Sequence, residues 1–419
     1  MLLLLLVPRA GYEGDVDCWT RWATFIYENG LPNVYELPDN NYNPFYHYVL
    51  WLYGKMMGST GKIFHFRHYL KAFTLLFDFA GAILVSRFVA GAERRFILSL
   101  LLLFNIGYLY NTLVWEQVDA IFTFFALAAV VAALRRRTIA STLLYVLALN
   151  AKTQAIIFLP LLLLLWLPQW LSTGRRQVLP ALGAAAGLQA LLLFPFLVLA
   201  RQDAWPHIVN LNLHAADMYP FITMNAYNLW VLIHPDGPFH FVSDWHDTTV
   251  GAAGLTYRQW GMVCFMAALA IGLVPVALLS VRTFLSRQLP ASSREQAIIF
   301  LTGTLIPLLF TYFNTQMHER YWHSALLFLA AYSFLTRRYV LFVLLSFTYF
   351  LQLETMLHFL QLKNYKILFF HPWFLTGMFT LIMVGAYVSL YRLARPARLW
   401  AEVRQHLRPA CASPSLQSV

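Results

Sequence analysis

The chain is 419 residues long, 59% hydrophobic and only 12% charged, with a mean hydropathy of +0.58. That much apolar surface exceeds what a soluble core buries, so composition excludes the soluble classes and points to an integral membrane protein. A net charge of +11 would suit nucleic acid, but the arginines stand in short clusters between apolar runs, as topology signals do, and no nucleic-acid partner is expected.

The apolar start, Met1–Val7, is far too short to span. Either the chain lacks part of its first helix or its true start lies upstream; a cleaved signal peptide would need a basic region and a small-residue cleavage site, and it has neither. Residues 9–68 then form a long first outer loop. Trp19, Trp22, Phe25 and Ile26 recur there at helical spacing, with Asp15 or Asp17 placed to cap the helix. Asn41-Tyr42-Asn43-Pro44-Phe45-Tyr46 opens a second apolar and aromatic helix over Tyr46–Met57. Both helices are expected to lie in the interface plane as aromatic belts.

Apolar segments follow at Leu70–Val89, Phe96–Val114, Val118–Leu134, Ile139–Leu149, Ala155–Leu171, Val178–Ala200, Gln259–Val281, Gln296–Phe313, Tyr321–Leu335, Tyr339–Phe359 and Leu368–Tyr391. Between them lie Arg87 with Arg94 and Arg95, Arg135-Arg136-Arg137, Arg175-Arg176, Arg282 with Arg287 and Arg294, Arg337-Arg338, and a tail running from Arg392 through Arg408. The positive-inside rule makes these loops and the tail, residues 392–419, cytoplasmic. With the apolar start counted as a crossing, both termini return to the cytoplasm. Ile139–Leu149 reaches only about 17 Å against a hydrocarbon core of about 30 Å. It and Ala155–Leu171 should therefore leave a cleft in the outer leaflet, with Asn150-Ala151-Lys152-Thr153-Gln154 at its floor. Residues 201–258 make a second large outer loop. The expected fold is a single all-α, multispanning helical bundle.

This orientation leaves only Glu93, Glu295 and Glu402 of the acidic residues cytoplasmic, whereas Asp15, Asp17, Glu116, Asp119, Asp203, Asp217, Asp236, Asp244, Asp247, Glu319 and Glu354 fall on the outer side. Acidic residues contribute little to topology, so the asymmetry marks an outer working surface. Asp78, inside a span, needs a buried partner. His214, His234, His240 and His246 read as loop histidines. Cys18, Cys264 and Cys411 are too scattered for a disulfide framework or a zinc site.

Several stretches carry a resemblance. Gly14-Asp15 followed by Trp22, Asn29-Gly30-Leu31-Pro32 followed by Tyr35, and Asn41 through Tyr46 look like the first luminal loop of the GT-C glycosyltransferases, multispanning enzymes that take a sugar from a polyprenyl-phosphate. Trp115-Glu116-Gln117-Val118-Asp119-Ala120 resembles that family's W-G-Q-x-D-A element. Leu149-Asn150-Ala151-Lys152-Thr153-Gln154 with Pro160 is similar to its L-x-x-K-x-Q…P, Met317-His318-Glu319-Arg320-Tyr321 to its M-H-E-R-Y, and Asn225-Ala226-Tyr227-Asn228-Leu229-Trp230 to its N-A-x-N-L-W. The pattern is most like that of bacterial relatives of the second mannosyltransferase of glycosylphosphatidylinositol assembly, and more distantly like dolichyl-phosphate-glucose-dependent glucosyltransferases. The matches keep their order over about three quarters of the chain. The chain departs from the family where D-Y-P-P is replaced by Asn41-Tyr42-Asn43-Pro44 and where Glu116 replaces a glycine.

The resemblance implies a GT-C-type bundle and an inverting transferase, with a hexose, mannose before glucose, passing from a polyprenyl-phosphate donor to a hydroxyl of a lipid-linked or glycan acceptor among membrane lipids. Such transfer needs a base for the acceptor hydroxyl and cations for the departing phosphate. The family's base position falls on Asp15, with Asp17 next in order, and Arg320, His318 and Lys152 stand where donor phosphate is held. Glu116, Gln117 and Asp119 either cap a helix or bind sugar hydroxyls; Tyr42, Asn43, Gln154, Glu319 and Asn225 join them as implied substrate contacts. Asp15 is expected across a shared outer pocket from Arg320 and Lys152, about 8–12 Å away. Read as residues alone, Lys152 could instead snorkel to the interface, and His318-Glu319-Arg320 could be an internal salt bridge. Asp15-Val16-Asp17 supplies too few oxygens for a metal, so neither metal nor cofactor is expected. A lipid or glycolipid flippase would also explain spans, broken helices and intramembrane charges, but it does not account for carboxylates and aromatics gathered on one face, and the halves show no hydropathy repeat. A noncatalytic scaffold subunit remains a third class.

Overall fold

A backbone in hydrocarbon must satisfy its own N–H and C=O groups, and apolar runs of this length do so as helices. In a computed structural model, residues 7–214, 220–234, 249–250 and 254–407 are described. Asp217, Asp236, Asp244, Asp247, His240, His246, Cys411 and all of the apolar start but Val7 lie outside the described residues. Every apolar segment read from the sequence after the start is helical. In chain order the helices are α1 (Glu13–Asn29), α2 (Pro44–Met57), α3 (Thr60–His65), α4 (Lys71–Ser86), α5 (Ala92–Leu103), α6 (Ile106–Leu109), α7 (Asp119–Leu134), α8 (Thr138–Ala151), α9 (Leu159–Thr173), α10 (Arg175–Val198), α11 (Trp205–Leu213), α12 (Leu229–Ile233), α13 (Tyr257–Ser286), α14 (Ser293–Phe313), α15 (His323–Thr336), α16 (Val340–Leu357), α17 (Pro372–Ala394) and α18 (Pro396–Leu407). A two-residue antiparallel pair, Thr249–Val250 with Leu255–Thr256, is the one sheet among the described residues.

The protein is an all-α, multi-pass membrane protein. Among the described residues seven helical stretches are long and apolar enough to cross a bilayer, and the bent pair Ala92–Leu103 and Ile106–Val114, broken by 57°, makes an eighth. The helices α7, α8 and α15 are apolar but shorter. At 1.5 Å per residue α8 rises only about 21 Å, which keeps the short crossing read from the sequence.

Burial separates core from rim. The helix α14 is buried over 83% of its apolar window and packs on α15 and α13, whereas the window of α10 is only 11% buried, leaving a nearly all-round apolar helix to face lipid. Close crossings depend on missing side chains. A Cβ at Gly107 would sit 2.4 Å from the carbonyl oxygen of Ser346, so α6 and α16 approach backbone to backbone there.

The first loop differs from expectation in two ways. The helix α1 begins at Glu13 with Tyr12 as N-cap and no capping side chain, so Asp15 and Asp17 lie inside it rather than ahead of it. Its aromatic stripe is also not a membrane belt: Val16, Trp19, Trp22 and Ile26 are buried, with Trp19 and Trp22 packed on Tyr42 and Trp19 on Tyr46. The i, i+3, i+7 spacing that marks a helix is here the signature of protein core. The apolar residues left outside are Trp51, Leu52 and Met56 of α2 with Phe64 of α3.

The polar side chains sort to two ends of the bundle. At one end Arg136 donates to the carbonyl of Arg287 at 2.8 Å, Arg282 pairs with Glu295 and with Glu402 at 3.2 Å, and Arg294 donates to the carbonyls of Leu393 and Ala394 at 2.8 Å each. Three of the arginine clusters assigned to one side by sequence, those at 135–137, at 282–294 and in the tail, thus meet one another. The opposite helix ends carry Asp15, Glu116, Asp119 and Glu319 with their partners.

Candidate active site

Four connections at the second end bring remote parts of the chain together. The first is the start of α1. Asp15 lies in its first turn, where a carboxylate complements the helix dipole. Its Oδ2 accepts a hydrogen bond from the Gln117 amide and lies 3.8 Å from the Arg320 guanidinium, and the side chain is 35% exposed. The expected sugar-width gap between Asp15 and Arg320 is not found; the two groups form a direct ion pair.

The second is the turn between α6 and α7. Glu116 has φ 65°, a left-handed conformation that a glycine adopts without cost and a glutamate does not. It is held by a fully buried ion pair with Lys71, 3.1 Å, and by His68, 2.9 Å. Lys71 also donates to the carbonyls of Arg9 and Leu113. Burial pushes the Glu116 carboxyl up from its ordinary range, against the pull of Lys71 and His68. Glu116 is therefore spent on structure and faces Lys71, while the next residue, Gln117, turns the other way to reach Asp15.

The third is the break after α8. Lys152 is extended, φ −159° and ψ 126°, and closes α8 as its C-cap. Its ammonium pairs with Asp119 at the head of α7 and lies 5.1 Å from the Tyr321 ring and 5.8 Å from that of Phe122. Asp119 also accepts from Asn111 at 3.4 Å. Lys152 is paired and does not snorkel. Both amide atoms of the neighbouring Gln154 are buried without a hydrogen-bond partner among the described residues.

The fourth is the segment between α14 and α15. The carbonyl of Met317 accepts from the N–H groups of Met224 at 2.9 Å and Ala226 at 3.2 Å, and the Asn225 carbonyl accepts from Gln352 at 2.7 Å. Gln316 and Asn225, like Glu116, have positive φ, 64° and 67°, without closing a helix. Sparsely populated backbone of this kind costs about 1–3 kcal/mol per residue and gathers at functional sites. The segment presents Arg320, which pairs with Glu319 at 3.3 Å; its carbonyl accepts from Tyr349 at 3.2 Å, and its Nε is buried without a partner among the described residues. Burial, with Arg320 and Lys152 nearby, holds His318 well below the ordinary histidine range, so it brings no charge to a phosphate at neutral pH. Burial raises the Glu319 carboxyl against the pull of Arg320.

Of the other residues named from sequence Asp17 stands apart, whereas Tyr42 lies within electrostatic range of Asp15, Arg320 and Asp119, and Asn43 bonds beside Lys152. Asp17 points away on the exposed face of α1, paired with Arg67 at 3.2 Å. Tyr42 is packed among Trp19, Trp22 and Tyr46. Asn43 donates to Thr153 at 2.8 Å and to the Leu149 carbonyl at 3.1 Å, and accepts from Asn212 at 3.0 Å, a knot that ties α2 and α11 to the break after α8. Sequence reasoning missed Asn212, Asn111, Lys71 and His323. A lysine opening an apolar run and a histidine at the head of another were signals, since such groups are costly unless used. His323 is fully buried, stacked on Tyr108 at 5.2 Å, with neither ring nitrogen hydrogen-bonded among the described residues. No group of three metal-ligating side chains is present among the described residues.

Compared with known proteins, the chain matches no family model and no curated sequence. The arrangement itself offers a half-exposed carboxylate anchored on one oxygen, two cations from different segments, and several buried polar atoms with unused hydrogen-bonding capacity.

Proposed function

We propose that the protein is an inverting glycosyltransferase of GT-C type, which moves a hexose from a polyprenyl-phosphate carrier to an acceptor hydroxyl at the extracytoplasmic face. The observation that carries this reading is the meeting of Asp15, Arg320 and the Lys152–Asp119 pair, drawn from three distant parts of the sequence, at one end of the bundle. Asp15 takes the proton of the acceptor hydroxyl. The acceptor oxygen bonds to the sugar's anomeric carbon as the bond from that carbon to the phosphate breaks, and the electron pair leaves on the carrier phosphate. Arg320 and Lys152 stabilise that departing charge, with Glu319 and Asp119 balancing it before substrate arrives. Neutral His318 serves as a hydrogen-bond donor. Gln154 and the Arg320 Nε supply vacant hydrogen-bonding groups for sugar hydroxyls or phosphate oxygens. The resemblance to the mannosyltransferase relatives favours mannose over glucose.

Arg320→Ala tests the donor site. Loss of a charge-assisted partner worth about 1.5–3 kcal/mol should weaken binding of polyprenyl-phosphate-mannose by roughly 10- to 100-fold. Unchanged affinity, measured on purified protein with labelled donor, would remove Arg320 from that site.

The orientation has its own test. In a chain stripped of its native cysteines, Gln202→Cys should react with an impermeant reagent applied outside intact cells, and Gln405→Cys only after permeabilisation. Both positions are exposed. The reverse labelling pattern would invert the site's face.

A further inference from the structure

The two oxygens of Asp15 are not equivalent. Both of its contacts, the Gln117 amide and the Arg320 guanidinium, fall on Oδ2, and among the described residues nothing donates to Oδ1. Gln117 is itself wholly buried. Its backbone N–H donates to the carbonyl of Asn111 at 2.9 Å, and its Oε1 has no hydrogen-bond partner among the described residues. Its direction is set one residue earlier, where Glu116 takes the left-handed turn and is pinned by Lys71 and His68.

From this we infer that Gln117 is a positioning residue for the base: it clamps Oδ2 of Asp15 so that Oδ1 alone is presented to the acceptor hydroxyl, and its own Oε1 is free to accept from a second hydroxyl of the same acceptor. The inference rests on the proposed transfer reaction and adds to it the chemistry of the acceptor, a vicinal or 1,3-diol rather than an isolated alcohol. A carboxylate on a two-bond side chain rotates freely unless one oxygen is held. A held oxygen leaves the other with a fixed lone-pair direction, and proton abstraction depends on that geometry. The reacting hydroxyl's proton passes to Oδ1, and the half-exposed Asp15 returns it to water after the carrier phosphate departs. The second hydroxyl changes no bonds; it donates to Gln117 and fixes which oxygen attacks.

The test uses the full-length protein in detergent–lipid micelles, labelled polyprenyl-phosphate-mannose or polyprenyl-phosphate-glucose as donor, and membranes from cells lacking the protein as the source of acceptor. Gln117→Met, close in size and without an amide, should lower kcat by about 10- to 100-fold while donor KM stays within about twofold. Gln117→Asn, which keeps an amide one carbon shorter, should fall between, and carries the same test if the methionine variant is not recovered folded. Wild-type kcat in the variants, or a loss expressed in donor KM alone, overturns the positioning role while leaving the transfer reaction standing. No transfer by the wild-type protein with either donor would overturn the reaction and the inference together.

Discussion

Replacing Asp15 with asparagine sharply lowers transfer without weakening donor binding, because the substitution keeps shape, removes the capacity to take a proton, and frees Arg320 from its paired carboxylate. General-base catalysis is worth about 10²–10⁴ in rate, so residual turnover should fall to that fraction or below. The asparagine can still place an oxygen against the Gln117 amide, which keeps the start of α1 in register. Asp17→Asn is the contrast. Its carboxylate lies on the exposed side of α1, with Arg67 as its partner, and exposed pairs contribute about 0–1 kcal/mol. Transfer should be unchanged in that variant. Initial rates with labelled donor, beside donor affinity for the same preparations, decide both outcomes.

The second large effect concerns stability. Lys71 and Glu116 are both buried, and removing one partner leaves an uncompensated charge, which costs about 3–5 kcal/mol. Glu116→Gly should recover about 1–3 kcal/mol of that by relieving the left-handed backbone, so the single variant remains net destabilised. The double variant Lys71→Met, Glu116→Gly removes both charges and the strained backbone together. It should unfold above either single variant but below the wild type, because the Arg9 and Leu113 carbonyls lose the Lys71 donor. Thermal unfolding of the purified proteins in one detergent measures this, and a double variant no more stable than Glu116→Gly would show that the ion pair does not act as a unit.

Hydropathy made the helices legible, because in lipid an apolar run has few other ways to satisfy its backbone. The short α8 could be read from length alone, and the break that follows it does hold Lys152 at a helix end. The choice between Asp15 and Asp17 was also within reach of the sequence. Two residues apart on a helix means roughly 200° of rotation, so once both lie inside α1 only one can face the bundle. Placing the helix start after them hid that argument. Partnerships were not legible. Lys152 reads as an unpaired cation waiting for phosphate until Asp119, distant in the chain, is seen against it. Glu116 reads as either a helix cap or a sugar ligand, with nothing in the sequence to show Lys71 against it, and His318 reads as a cation until its burial is known. Pairing and desolvation depend on tertiary neighbours, and no periodicity carries them. The aromatic stripe of α1 was misread for a related reason: buried and interfacial aromatics have the same spacing.

The measurement closest to the central claim follows the sugar itself. Purified protein is given polyprenyl-phosphate-mannose, and in parallel polyprenyl-phosphate-glucose, labelled in the hexose, together with membranes as the source of acceptor, and the product's anomeric configuration is determined. The account predicts that label leaves the carrier for an acceptor in the wild-type protein, with inversion at the anomeric carbon, and stays on the carrier in Asp15→Asn. Label that remains on its carrier while the intact donor changes leaflet would identify a flippase and contradict the account, as would transfer with retained configuration.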